Sequence, residues 1–148
     1  MATWLLSTET TVDVLAEGNA ITFLGKAHLR EFAISSVTFE WIAADLDLQS
    51  LQPAVRQQLR TNLSRLREQL RQQGGEIPAI STEALQYWGR LLVLNLQHRR
   101  DPNSEPESMP TEERLIVATA AASGFVYVTP RRDWNSALTE FGISVEEV

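Results

Sequence analysis

The 148 residues suit one domain, and an apolar share of 43% with seven glycines excludes a disordered or fibrous chain. Nineteen acidic against thirteen basic side chains give a formal charge of -6, which argues against tight non-specific nucleic-acid binding by the whole surface. Cysteine is absent and histidine occurs twice, excluding disulfides, thiolate metal sites and a histidine-rich zinc centre.

The first apolar run, Thr3-Trp4-Leu5-Leu6-Ser7, predicts a buried strand ending near Ser7. Thr8 is a capping residue, Thr11 to Glu17 a short helix stopped by Gly18-Asn19, and Ile21 to Glu31 a second helix. Phe32 to Ser36 reads as another short strand, and Ser36 or Thr38 starts a helix with Phe39, Ile42, Ala43 and Leu46 on one face. Pro53 marks a first helical turn. Val55, Leu59, Leu63, Leu66 and Leu70 then form a stripe at helical spacing, ended by Gly74-Gly75.

Ile77 to Ile80 is extended, and Ser81 caps a helix from about Thr82 to Gln97 whose Leu85, Trp88, Leu92 and Leu96 share a face. Residues 99–111 hold three prolines and almost nothing apolar, which predicts a flexible loop. Glu112 to Ser123 reads as an alanine-rich helix, Phe125 to Thr129 as the strongest strand, Trp134 to Phe141 as a short helix and Ile143 to Glu146 as a last strand. Interleaved strands and helices predict one α/β domain over 1–148. It is a three-layer α/β/α sandwich on a mostly parallel sheet of four or five strands. Ligands in such folds sit beyond the carboxyl ends of the strands, here Ser7–Glu9, Ser36–Glu40 and Thr129–Asp133. MATWLLSTETT has no signal-peptide pattern and no window approaches the roughly 18 apolar residues of a membrane span, so a cytoplasmic address is expected.

Four segments carry a family likeness. WLLSTETTVDVL at 4–15 resembles "LLDTNVLIDLL", AISSVTFEWIAA at 33–44 resembles "AISAVTLAELL", and EERLIVATAAASGFVYVT at 112–129 resembles "DADLLIAATALAHGLTLVT". PRRDW at 130–134, followed by FGISVEEV, resembles "RDRDF" and a terminal "GLRVENW". On these motifs the chain resembles the PIN-domain family, and within it the VapC-type toxin ribonucleases of toxin–antitoxin pairs. The resemblance implies RNA cleavage by clustered carboxylates that hold Mg²⁺ or Mn²⁺, a homodimer, and a small antitoxin bound over the acidic cleft.

Laid on this sequence, the likeness puts the first family acid at Ser7, with Glu9 as an extra negative charge two residues on. It retains the second at Glu40 and the third at Glu113, and it replaces the fourth by Arg131 while keeping Asp133. Glu40, Glu113 and Asp133 are therefore the expected catalytic and metal-binding residues, assisted by Glu9, and Ser7 and Arg131 are the degenerate positions. Hydroxyl oxygen is a poorer magnesium ligand than carboxylate. A permanent guanidinium about 4 Å from the cation, at an effective dielectric near 20, opposes each unit of its charge by roughly 4 kcal/mol. The expected result is a catalytically impaired PIN-like domain kept as a binding or assembly module. Arg131 would pair with Glu40 or Glu113 in the space of the cation. The alternative is a Mg²⁺/Mn²⁺-dependent endoribonuclease.

Plainer roles compete at each position. Glu40, Glu112 and Glu113 suit first helical turns, Asp133 suits a cap on the helix from Trp134, and Glu9 suits a solvated helix end. The leucine stripe suits a core or a dimer seam, and Arg56, Arg60, Arg65, Arg67 and Arg71 suit either a solvated face or a ridge for RNA phosphates.

Overall fold

The computed structural model describes residues 2–16 and 31–148. The stop expected at Gly18-Asn19 and nearly all of the helix expected at Ile21–Glu31 lie outside them. Trp4–Leu6 forms β1, Thr8–Leu15 α1, Phe32–Ala33 β2, Ser36–Leu48 α2, Pro53–Gln72 α3 and Thr82–Leu92 α4. After them come β3 (Gln97–His98), β4 (Glu107–Ser108), α5 (Thr111–Ser123), β5 (Val126–Thr129), α6 (Asn135–Phe141) and β6 (Val145–Glu147).

The main sheet among the described residues runs β2-β1-β5-β6, parallel throughout. Leu5 stands between Ala33 and Tyr127, and Tyr127 pairs in turn with Val145. Side chains alternate faces along a strand, so strands that are apolar at every position must be covered on both sides. Leu5, Ala33 and Tyr127 enter a core with Leu91, Ile116, Val117 and Leu138 from α4, α5 and α6. Leu6, Phe32 and Val128 enter the opposite core with Phe39, Ile42, Leu46, Leu63, Leu66 and Leu70 from α2 and α3. This is the expected three-layer sandwich, with the four-strand parallel sheet at its centre.

The leucine stripe is spent on that second core: Leu63, Leu66 and Leu70 are buried, while Val55 at the start of the helix is 47% exposed. The arginines of α3 tie it to α2. Arg60 pairs with Asp47, Arg56 Nη2 donates to the Gln49 carbonyl at 2.9 Å, and the Arg67 guanidinium stacks over the Phe39 ring at 5.3 Å.

The largest departure from the sequence reading is α4, which ends at Leu92 rather than Gln97. Arg114, buried on α5, takes the carbonyls of Leu91 and Leu94 at 2.7 Å each, so the last turn is capped by a side chain from another helix. The chain then pairs β3 with β4, antiparallel, and Met109 is buried. The proline-rich stretch thus contains a short paired strand, because Leu96 and Met109 offer apolar anchors and Met109 N–H donates to the Leu96 carbonyl at 2.8 Å. Gly124, at φ 67°, closes α5 in the left-handed region that glycine adopts without steric cost and turns the chain into β5.

Candidate functional site

Parallel topology brings the ends of β1 and β5 and the starts of α1 and α5 to one edge of the sheet. Ser7 leaves β1 here, and its N–H donates to the Val128 carbonyl at 2.8 Å. As the N-cap of α1, its Oγ accepts from Thr10 N–H at 3.0 Å and donates to Thr10 Oγ1 at 2.8 Å. Thr10 Oγ1 in turn donates to the Val128 carbonyl at 3.2 Å, and Thr11 Oγ1 donates to the Ser7 carbonyl at 2.9 Å. All three side chains are buried. Every hydroxyl proton in this corner is committed to a protein oxygen, and a satisfied buried network resists opening.

Glu113, in the first turn of α5, is 8% exposed. One oxygen, Oε1, accepts from Thr8 N–H at 3.3 Å and from the Tyr127 hydroxyl. Burial pushes the Glu113 carboxyl above its ordinary range. The Tyr127 and Thr8 donors act in the opposite direction, and the nearby Glu9 charge adds to the rise. The Tyr127 phenol is pushed well up, by burial first and then by the charge and hydrogen bond of Glu113, so it holds its proton and donates it. The pair is a buried donor–acceptor couple.

The expected metal trio does not assemble. Glu40 points away from the cleft, its side chain 77% exposed, with Oε1 3.9 Å from Arg67 of α3. Trp41, the next residue, lines the cleft instead. Consecutive helix positions are rotated by about 100°, so one step of register decides which side chain faces the sheet edge. Asp133 is exposed; its Oδ2 accepts from Arg99 N–H at 3.0 Å, which holds its carboxyl below the ordinary range, with smaller help from His98 and Arg131. It does not cap α6, whose N-cap residue is Trp134.

Arg131 is exposed and pairs with neither Glu40 nor Glu113, contrary to the expected lock. The ion pair at this edge joins Arg132 to Glu9, because the side chain after Arg131 is the one that turns back over α1.

Two cavities adjoin along that pair. The smaller, about 110 Å³, is lined by Thr8, Glu9, Trp41, Pro110, Glu112, Glu113, Tyr127, Thr129 and Trp134. The other, about 360 Å³, is lined by Arg131, Arg132, Asp133, Asn135, Ser136, Thr139, Val145 and Glu147. Trp41, Tyr127 and Trp134 were legible in the sequence only as packing aromatics; nothing in their spacing marks them as cavity walls. Among the described residues no three His, Cys, Asp or Glu side chains converge where they would share a metal ion. The donor set does not fit a PIN-type cation: Ser7 is bonded inward, Glu113 is bonded to Tyr127 and Thr8, and Glu40 and Asp133 face other partners.

No protein-family model matches the sequence, nor does any curated protein sequence. Solved structures do match in fold. VapBC2 from Rickettsia felis bound to a DNA fragment from its promoter superimposes with a TM-score of 0.69 at 15% identity, over 98% of each chain. DNA-bound VapBC from Salmonella typhimurium gives 0.66 at 18% identity, over 99% of this chain and 98% of that one. VapBC-5 from Mycobacterium tuberculosis, a member of the VapBC family of toxin–antitoxin systems, gives 0.59 at 19% identity, over 100% and 98%. Identities this low speak for the fold, and with nearly complete coverage on both sides they speak for all of it: the chain has the PIN-domain, VapC-like fold.

Proposed function

We propose that the chain is a PIN-fold binding module whose strand-end site works without a catalytic metal, and that it acts in the cytoplasm with a small antitoxin-like protein as partner. The observation that carries this reading is the closed Ser7–Thr10–Val128 network at the position where the family resemblance calls for the first metal-binding acid. The solved structures of like fold are toxin–antitoxin complexes, which supports the partner. Self-association as a homodimer belongs to the same reading, with Leu85, Leu92 and Val93 as the apolar side chains left exposed at α4; solution mass tests it.

A Mg²⁺- or Mn²⁺-dependent endoribonuclease is the second reading, favoured by one feature: Glu9, Glu112 and Glu113 line the same cavity. Incubation of the purified chain with structured RNA and Mn²⁺, beside Glu113→Gln, separates the two. The module reading expects no cleavage by either protein. Cleavage by the wild type that Glu113→Gln abolishes overturns it.

A further inference from the structure

The smaller cavity joins acids to apolar walls, and its charges are not all matched. Glu9 is engaged by Arg132. Glu112, half-buried in the same lining, forms no hydrogen bond or ion pair among the described residues. Glu113 is 8% exposed and its two oxygens are used unevenly. Oε1 accepts from both Thr8 N–H and the Tyr127 hydroxyl, while Oε2 has no partner among the described residues and is not enclosed by the protein. A carboxylate buried without a counter-charge is costly, and an entering cation relieves that cost. The N-terminal dipole of α5 sets only about half a positive charge beside these two acids.

The rest of the lining decides which cation. Most of it is apolar, with Trp41, Pro110 and Trp134 as walls. A magnesium ion keeps much of its water shell and asks for an octahedron of oxygens, so such walls give it nothing. A guanidinium binds a carboxylate best through a fork onto two oxygens, and Glu113 has one to give. An ammonium needs a single acceptor, its methylenes shed water against the rings, and an indole attracts the charge. Two unpaired carboxyl groups in one lining match two ammonium groups, where a lysine side chain would bring one. At about 110 Å³ the cavity is small beside the roughly 300–1,000 Å³ of pockets for drug-sized ligands, so the spacer is short.

We propose that this cavity binds a short aliphatic diamine, one ammonium on Glu113 Oε2, the other on Glu112, and the methylenes against Trp41. The inference rests on the binding-module reading and names its ligand.

The test is titration of the full chain with 1,4-diaminobutane in EDTA, read by calorimetry and by the indole N–H signal of Trp41. Saturable binding of one equivalent that shifts this signal is expected. n-Butylamine, with one ammonium, and 1,4-diguanidinobutane, with two forks, are each weaker by about tenfold. Trp41→Ala weakens the diamine by about fivefold. Glu112→Gln, at a half-buried position, lowers the diamine to the level of n-butylamine, and Glu113→Gln, which keeps an acceptor for Tyr127, abolishes binding with the fold intact by melting temperature. Several outcomes overturn the proposal: no saturation at millimolar diamine, equal binding of n-butylamine, tighter binding of the diguanidine, or a Glu112→Gln variant that binds as wild type. Tighter binding of Nα-acetyl-lysine amide than of the diamine overturns it too, and assigns the cavity to a protein side chain. Manganese-dependent RNA cleavage that Glu113→Gln abolishes sinks the module reading itself, whereas failure of the diamine without cleavage sinks only the ligand.

Discussion

Glu113 and Arg114 are neighbours on α5, 8% and 6% exposed, and they treat burial of charge in opposite ways. Arg114 donates from Nε to the Met109 carbonyl at 3.1 Å, from Nη1 to the carbonyls of Leu91 and Leu94 at 2.7 Å, and from Nη2 to Ser108 Oγ at 3.0 Å. It fastens the end of α4 and the approach to α5. Glu113 has fewer partners, faces a cavity and resists ionisation. A buried charge whose three nitrogens all donate to fixed protein oxygens, three carbonyls and a hydroxyl, is a structural tie. A buried acid at a cavity wall, held by one phenol and one amide, is where ligand chemistry is available.

The comparison breaks most visibly at Arg114. Arg114→Met removes the donors of two buried carbonyls and one half-buried one and is expected to cost about 3–5 kcal/mol in urea unfolding, with Arg114→Lys recovering only part because an ammonium cannot span the same fork. A Met variant as stable as wild type would mean that water replaces the guanidinium and that the tie is dispensable.

Glu113 sharpens the contrast through pH. Its carboxyl is raised in the folded chain, so its favourable contribution is present below about pH 4.5 and is lost as pH rises through the raised folded value. Glu113→Gln keeps an acceptor for Tyr127 and carries no charge. The stability of Glu113→Gln relative to wild type should therefore climb from about pH 4.5 upward and then level off. Asp133 acts in the other direction: its lowered value contributes stability above about pH 3.8 that is lost on further acidification. The two windows barely overlap, so paired melting curves of wild type and Glu113→Gln isolate the buried acid. A difference that stays flat above pH 4.5 would show that the folded chain does not hold Glu113 protonated.

The sheet was legible because β1, β2 and the first three positions of β5 are apolar and the helices carry stripes at steps of three and four: Leu5, Leu6, Tyr127 and Val128 all lie where that pattern puts them. The end of α4 was not, because its stop is Arg114, twenty residues beyond Leu94, and no local residue announces it. The corner at Ser7 was legible as a lost acid, whereas its closure by Thr10 and the Val128 carbonyl depends on a strand far along the chain. The Arg132–Glu9 pair was missed for the same reason: adjacent arginines look alike until the turn after β5 aims one of them.

Glu40 is the smallest test and bears on the register of α2. Its side chain is mostly solvent-exposed and its contact with Arg67 spans 3.9 Å, a distance at which a surface pair contributes little. Glu40→Gln is expected to change stability by less than about 0.5 kcal/mol and to leave the melting profile unaltered. The value of so small an effect is that a metal-site role predicts something else. If Glu40 were a ligand, removing its charge would relieve repulsion among clustered acids and raise stability in EDTA, and it would abolish any stabilisation by Mn²⁺. With Trp41 facing the cleft, neither change should occur, because the side chain that α2 presents to the strand ends carries a ring where a cation site needs a carboxylate.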